Sequence, residues 1–201
     1  MAKRTIAIIG ATELMGAAIA RNLSKGNYRL LLFGHDDKKL RSLVEEIKTI
    51  NALAEIECLN CVVDAGWEAD IIISAVPSVT EKEIAEKIRD VATQKIVVII
   101  ADPMDLRDSR CVSGNSAAED YQQWLPNSKV VKIFNTAIAA DFARAVADGK
   151  PADSFITGND SEAVQVVTEI VATAGFHPII AGELATSRAL EASALVHQTR
   201  N

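Results

Sequence analysis

The chain has 201 residues, 49% hydrophobic and 24% charged with few aromatics, enough for one buried core in one domain or one domain with a small extension. A net charge of −6 and a pI near 5.1 argue against nucleic acid or an anionic membrane surface as partner, and no apolar run is long enough to span a bilayer. Three cysteines, an odd number, and a first strand expected from Thr5 with no signal peptide before it point to the reducing cytoplasm and away from a disulfide framework.

Thr5 to Ile9 is a short β-branched run that reads as a strand. Gly10 ends it, and Gly16 opens an Ala-rich segment, AAIARNL, with helical spacing. Strand, tight glycine turn and helix is the layout of a dinucleotide-binding unit, in which the helix N-terminus receives the pyrophosphate. The candidate cofactor-binding loop is therefore Gly10, Ala11, Thr12, Glu13, Leu14, Met15 and Gly16. The glycines depart from the usual G-x-G-x-x-G: aligned on Gly16, its first two positions fall on Ala11 and Glu13. A looser G-x-x-G-x-x-G keeps Gly10 and Gly16 but still puts Glu13 on the middle glycine, where the backbone normally touches the pyrophosphate. A carboxylate about 4 Å from a phosphate charge costs roughly 4 kcal/mol at an effective dielectric near 20. Two placements relieve this. Glu13 swings toward solvent, or it sits on the amides of the helix N-terminus and mimics the missing phosphate. Thr12 either offers a hydroxyl to a phosphate or is only a turn residue.

Tyr28 to Phe33 is the second strand, ended by Gly34. The helix after it carries Leu40, Leu43, Val44 and Ile47 on one face, and Asp36 or Asp37 can cap it. Asp36 also lies twenty positions beyond Gly16, about where an acidic residue hydrogen-bonds the adenosine ribose of NAD. Cap and ribose ligand stand level as readings. A 2′-phosphate of NADP calls for Arg or Lys close behind this strand; the chain offers His35, Asp36 and Asp37 first and Lys38 and Lys39 only afterwards. His35 reads as a solvated loop residue before a phosphate ligand.

Ala54 to Leu59 and Ala69 to Ala75 read as the third and fourth strands. Cys58 and Cys61 between them form a lone C-x-x-C with no second pair, so two part-buried thiols are expected and no metal site. The fourth strand is a continuous apolar run, as for a parallel strand covered on both faces. After Val76-Pro77, Thr80-x-x-Glu83 has the form of a capping box for a helix through Val91. Lys95 to Ala101 is a fifth strand, residues 103 to 113 an irregular loop, and Ala117 to Leu125 a helix. Lys129 to Phe134 is the sixth strand, and TAIAADFARAVA the next helix. Then come a strand at Asp153 to Thr157, an amphipathic helix at Ser161 to Ala174, an eighth strand at His177 to Ala181 and a last helix at Leu184 to Gln198. Alternation of β and α predicts a right-handed, doubly wound, mostly parallel Rossmann-like α/β sheet of about eight strands with helices on both faces. One domain, 1–201, is expected, its nucleotide-type half about 1–126 and its C-terminal βα units about 127–201. Arg188 and Glu191, at i and i+3 on the last helix, read as a surface pair. His177 and His197 receive no role.

Three stretches, VVKIFNTAIAADF, FITGNDSEAVQVVTEIVATAGFHPIIAGELATSRALE and the GATELMG loop, resemble the NADP-dependent oxidoreductases that use the deazaflavin coenzyme F420, and their NAD(P)-binding relatives. SAVPSVTEKEIA is similar to that family's fourth strand and following helix. The resemblance implies hydride transfer between NAD(P)H and a flavin or deazaflavin-like second substrate, the two rings stacked in a cleft at the carboxyl edge of the sheet. It implies that Ser74, Ala75, Val76 and Pro77 line the nicotinamide ribose, and that Asn135 and Thr136 position the flavin-like ring. Apposition of the rings needs no dedicated acid or base, so no catalytic residue is assigned. Two positions depart from the family's pattern: Glu13 replaces its middle glycine, and His35-Asp36-Asp37 stands where it commonly has Ser-Arg-Arg. The expectation is an NAD(P)H-dependent oxidoreductase of the cytoplasm, plausibly a homodimer. The alternative is a degenerate Rossmann module without catalysis, its site partly closed by Glu13. A short-chain-dehydrogenase type is disfavoured, because neither Tyr28 nor Tyr121 has lysine four residues on.

Overall fold

A computed structural model describes residues 3–100, 115–135 and 151–191. Its eight strands form one sheet in the order β3-β2-β1-β4-β5-β6-β7-β8. The strands are β1 Arg4–Ile9, β2 Tyr28–Phe33, β3 Glu55–Cys58, β4 Ile71–Ser74, β5 Ile96–Ile100, β6 Lys129–Asn135, β7 Asp153–Gly158 and β8 His177–Gly182. Among the described residues, the helices are α1 Leu14–Leu23, α2 Asp37–Ile50, α3 Val62–Glu68, α4 Ser78–Ile88, α5 Ala117–Trp124 and α6 Ser161–Thr173. Residues 184–186 form a 3₁₀ turn that runs into helix over 187–191.

The central strands are apolar over most of their length because both faces are covered. On β1, Ile6 and Ile8 pack toward α1, α2 and α6, with Ile19, Leu23, Leu40, Leu43, Ile47, Val167 and Ile170. Ala7 and Ile9 face the opposite layer of α3, α4 and α5, with Val62, Ala65, Ala85, Ile88 and Tyr121. Each fully buried Leu or Ile contributes roughly 1.5–3 kcal/mol. The sheet continues without a break through β5 and β6, across the boundary expected near Leu125 to Asn127.

Strand order 3-2-1-4-5-6 is that of a dinucleotide-binding fold, with the topological switch between β1 and β4. β1 to β6 are mutually parallel. The alternation of β and α alone expects every neighbour to be parallel, and here the structure differs. β7 runs antiparallel to β6, with Asn135 opposite Ser154, while β8 is parallel to β7. Both ends of the 136–152 connection therefore stand at one edge of the sheet. A chain that re-enters at the edge it left pairs antiparallel, because a parallel partner requires a crossover to the far edge. The helix expected over TAIAADFARAVA lies outside the described residues, as do most of the loop after β5 and the last helix beyond 191.

Three local expectations are corrected. Helix α3 is absent from the sequence reading because seven residues beginning Val-Val carry too few turns to show a period. The Thr80/Glu83 capping box is not formed: α4 starts at Ser78 behind Pro77, so Thr80 is already helical and its hydroxyl donates to the Pro77 carbonyl at 2.9 Å. Glu83 instead pairs with Lys87 at 2.6 Å. Arg188 and Glu191 do not pair with one another; each crosses to another element. The Arg188 guanidinium donates to Glu119 on α5, Nε to Oε2 2.7 Å. Glu191 accepts from the Ala117 amide at 3.2 Å and pairs with the Lys132 ammonium of β6, which is 1% exposed. With the Thr157–Ser187 hydroxyl contact at 2.6 Å, these bonds fasten residues 187–191 over β6, β7 and the start of α5.

Removing one partner of a buried ion pair leaves a charge without compensation and costs about 3–5 kcal/mol, whereas an apolar pair of similar size is close to neutral. Glu191→Ala is therefore expected to lower the urea-unfolding free energy by that amount, and Lys132→Met with Glu191→Leu to restore most of it. The Arg188 guanidinium, helped by the Ser116 backbone and hydroxyl, holds the Glu119 carboxyl down at about 2 against an ordinary 4.5. A depressed carboxyl stabilises at every pH above its unfolded value and loses that contribution as pH falls through the folded one. Stability is expected to drop between about pH 4.5 and 2, and Glu119→Gln to flatten that limb in melting temperatures taken against pH.

Candidate nucleotide site at the β1/β4 switch

The carboxyl ends of β1, β2 and β4 meet around the glycine loop. Gly10 has φ +87°, a left-handed conformation that favours glycine. Its amide and that of Ala11 both donate to the Phe33 carbonyl at the end of β2, each at 2.9 Å. On its other side a Cβ at Gly10 would collide with the Ala75 carbonyl at the exit of β4. A Cβ at Gly16 would overlap the Gly10 carbonyl, 2.9 Å from its carbon. Gly10 and Gly16 are thus required by packing of the loop against its own strand, β2 and β4. Gly34 has the same relation to Thr12, whose Cγ2 would lie 2.6 Å from an added Cβ.

Thr12 Oγ1 is buried and has no hydrogen-bond partner. A buried hydroxyl without a partner is uncommon and costly. Glu13 occupies the N-cap of α1 in extended conformation, yet its side chain accepts no hydrogen bond from the helix. Its longer side chain overshoots the amides that Ser, Thr, Asp or Asn would reach from that position. The carboxylate is 34% exposed and lies beside His35, Oε1 to Nδ1 3.6 Å. Of the two placements, the one on the helix amides is not adopted. Leu14 is 69% exposed, while Met15 packs partly against the core.

His35 is 79% exposed, as a loop residue should be. Asp36 caps α2: its Oδ1 accepts from the Lys38 amide at 3.1 Å and the Lys39 amide at 3.0 Å. The Lys39 amide first, with the Lys39 ammonium, keeps its carboxyl below the ordinary range. Ser74 is buried at the end of β4, its hydroxyl 2.8 Å from that of Tyr121 on α5. The Ala75 amide donates to Ile9 at 2.8 Å, and Pro77 precedes α4. The loop, the His35–Asp36 turn and the Ser74–Pro77 exit therefore lie together at the carboxyl ends of β1, β2 and β4, where this strand order places a ligand crevice. Asn135 stands at the same carboxyl edge, its backbone pairing with Ser154 at the end of β6, two strands beyond β4 and roughly 10 Å along the sheet at the usual strand spacing. Thr136 lies outside the described residues.

Sequence reasoning missed the Ser74–Tyr121 contact, whose only signal was the helical spacing of Ala118, Tyr121 and Leu125 beneath the end of β4. It also missed that His177 stands at this same sheet edge, its Nδ1 2.9 Å from Asp153, because the reversal of β7 was not legible. Cys58 and Cys61 are both free and half-buried. Among the described residues no three His, Cys, Asp or Glu side chains gather as a metal site, and no helix is long and apolar enough to cross a membrane.

Residues 5–103 match the family model described as NADP oxidoreductase, coenzyme F420-dependent. Over this segment, just under half of the chain, the protein is similar to that family. Among solved structures, a candidate F420-dependent NADP reductase from Arthrobacter is similar over 98% of this chain and 92% of its own, with TM-score 0.76 and 22% identity. A variant imine reductase from Myxococcus stipitatus in complex with NAD+ is similar over 99% of this chain and 62% of its own, with TM-score 0.71 and 16% identity. An imine reductase from the same organism in complex with NADP+ gives 98%, 61%, 0.71 and 15%. The chain thus spans under two thirds of the imine reductases. At these identities the likeness shows the fold, which is Rossmann-like.

Because Gly16 faces its own loop, Gly16→Ala has no room except by moving the Gly10 carbonyl. Overpacking of this kind costs about 1–3 kcal/mol or more. The variant is expected to lose at least that in chemical denaturation, with the glycine loop displaced from β2 and β4.

Proposed function

We propose that the chain is a single-domain, nicotinamide-dependent oxidoreductase that passes hydride between NAD(P)H and a flavin- or deazaflavin-like acceptor. The observation that carries this reading is the state of the glycine loop: its helix N-terminus is not covered by Glu13, and in the same loop the Thr12 hydroxyl, packed against Gly34, is buried without a partner. Helix amides and a hydroxyl are the donors a pyrophosphate takes. In this reading α1 and Thr12 hold the pyrophosphate, with Gly10, Ala11, Glu13, Leu14, Met15 and Gly16 forming its loop. His35 and Asp36 stand at the adenosine ribose. Ser74, Ala75, Val76 and Pro77 line the nicotinamide ribose, Ser74 being held by Tyr121. Asn135 and Thr136 border the acceptor.

A bound nicotinamide supplies the hydride chemistry; the chain's own residues supply orientation and a dry wall. Two exposed apolar side chains suit a flat acceptor: Leu14 in the first turn of α1 and Val79, 77% exposed, in the first turn of α4. These helices cover opposite faces of the sheet, so their first turns flank the crevice from either side. The family match over residues 5–103 supports the same choice. A cytoplasmic homodimer completes the proposal. The competing reading, a degenerate module closed by Glu13, loses its main support once the carboxylate lies beside His35.

The test is a calorimetric titration with NADH and NADPH, followed by loss of the reduced-nicotinamide absorbance when FMN or a deazaflavin is added. Micromolar binding and turnover are expected; absence of both returns the chain to the non-catalytic class. Thr12→Val separates site from scaffold. It deletes an unsatisfied hydroxyl, so stability should hold or rise by up to about 1 kcal/mol, while dinucleotide affinity falls about tenfold, or 1.4 kcal/mol. A stability loss with affinity unchanged would place that hydroxyl in the fold alone.

A further inference from the structure

We propose that Tyr121 is a positioning residue for hydride transfer: by holding Ser74 it fixes the exit of β4, and with it the wall against which the nicotinamide end of the dinucleotide is oriented. This rests on the nicotinamide-dependent reading above and concerns how that site aims its cofactor. A side chain of α5 that is fully buried thereby governs the rate of transfer more than the strength of binding.

The contact is a polar pair inside an apolar layer. Ser74 stands in register with Ile9 of β1 and Ile99 of β5, and both isoleucines pack in one cluster with Tyr121. Ser74 and Tyr121 are 2% and 0% exposed, and their hydroxyls lie 2.8 Å apart, either one able to donate. An apolar pair of the same shape would fill this space at nearly the same stability, so what the hydroxyls add is a defined position. A buried hydrogen bond has a length and a direction, and it rigidifies where an apolar contact lets its partners slide.

Both ends of that link are themselves held. α5 is anchored at its start by the Ser116–Glu119 capping box, by Arg188 on Glu119 and by Glu191 on the Ala117 amide. At its end the Trp124 carbonyl accepts from Arg89 Nε at 2.9 Å, and Gln122 Nε2 donates to the Leu125 and Ser128 carbonyls at 3.0 and 3.1 Å. Beyond Ser74, the Ala75 amide donates to Ile9, the Ala75 carbonyl stands against Gly10, Val76 packs on the same apolar layer, and Pro77 has φ −58°. The exit is a stiff corner with two attachments, to β1 through its backbone and to α5 through Tyr121. In the proposed site affinity comes chiefly from the pyrophosphate on α1. Transfer depends instead on the distance and angle of the nicotinamide, where a displacement of about 1 Å costs about a hundredfold in rate. Loosening one of the two attachments therefore acts on transfer before it acts on binding.

The experiment compares the wild type, Tyr121→Phe, Ser74→Ala and the double variant. Calorimetry with NADH and with NADPH gives the dissociation constants, the fluorescence of the bound reduced nicotinamide reports how its ring is held, and turnover with FMN or a deazaflavin gives the rate at saturating dinucleotide. Wild-type emission is expected to differ from that of free cofactor. Tyr121→Phe should keep the dissociation constant within about threefold, return the emission toward that of free cofactor and lower the saturated rate about tenfold. Ser74→Ala should do the same, and the double variant no more than either, because both remove one contact. Four results overturn this inference and leave the reductase reading intact: emission and rate unchanged in both single variants, affinity lost as much as rate, additive losses in the double variant, or wild-type emission like that of free cofactor. Where dinucleotide binds and neither acceptor is reduced, the emission decides alone. Failure of the wild type to bind either dinucleotide overturns both.

Discussion

The contact on which this fold turns is the close approach of the Gly10 backbone to two neighbouring strands and a helix at once. Its amide and its neighbour's bind the end of β2, its Cα faces the Ala75 carbonyl at the end of β4, and its own carbonyl lies where a Cβ of Gly16 would be. None of these approaches tolerates a side chain. The result is that β1, β2 and β4, which branch to opposite sides of the sheet, are tied at the point where the topology leaves a crevice. Glycine in such loops is commonly explained by the ligand's need to touch backbone. Here the two retained glycines are explained by protein packing alone, and the lost one is the position that only a ligand would have required.

A second constraint sits at the other end of the sheet. Lys132 is a buried charged residue in the middle of β6, and its ammonium is satisfied by Glu191, sixty residues on in round numbers. With Arg188–Glu119 and the Ser116–Glu119 capping box, it makes the segment 187–191 the lid of the α5 layer. Such a pair is weak as a source of stability, since desolvation offsets most of the attraction, and strong as a specifier, since neither charge has another place to go. It fixes where the chain must return after the antiparallel β6–β7 step. The Ser74–Tyr121 hydroxyl pair does the same for the β4 exit from within that layer.

Much of this was legible. The strands announce themselves as continuous apolar runs alternating with helical patterns, so a doubly wound sheet of about eight strands with helices on both faces could be read. What escaped the sequence was long-range or short. Direction of β7 depends on where a connection re-enters the sheet, which periodicity does not encode. Helix α3 is shorter than two repeats of its own period. Arg188 and Glu191 stand at helical spacing, which suggests a pair, but each finds a better partner at a distance invisible to local pattern. At the site, the anomaly of Glu13 was plain, yet its resolution depended on one side-chain direction: toward its own helix or toward the neighbouring turn.

That direction carries the argument to its last step. A carboxylate on the α1 amides would have gained a few tenths to about 1 kcal/mol from the helix end, and would have opposed a phosphate there. Beside His35 it gives up that gain, and it stands in a wetter place, a third exposed, where repulsion is screened toward the roughly 1 kcal/mol of bulk water. The same substitution that looks fatal to phosphate binding by position is therefore tolerable by geometry. Its charge stands beside the neighbouring turn, away from the helix end where the proposed pyrophosphate would lie.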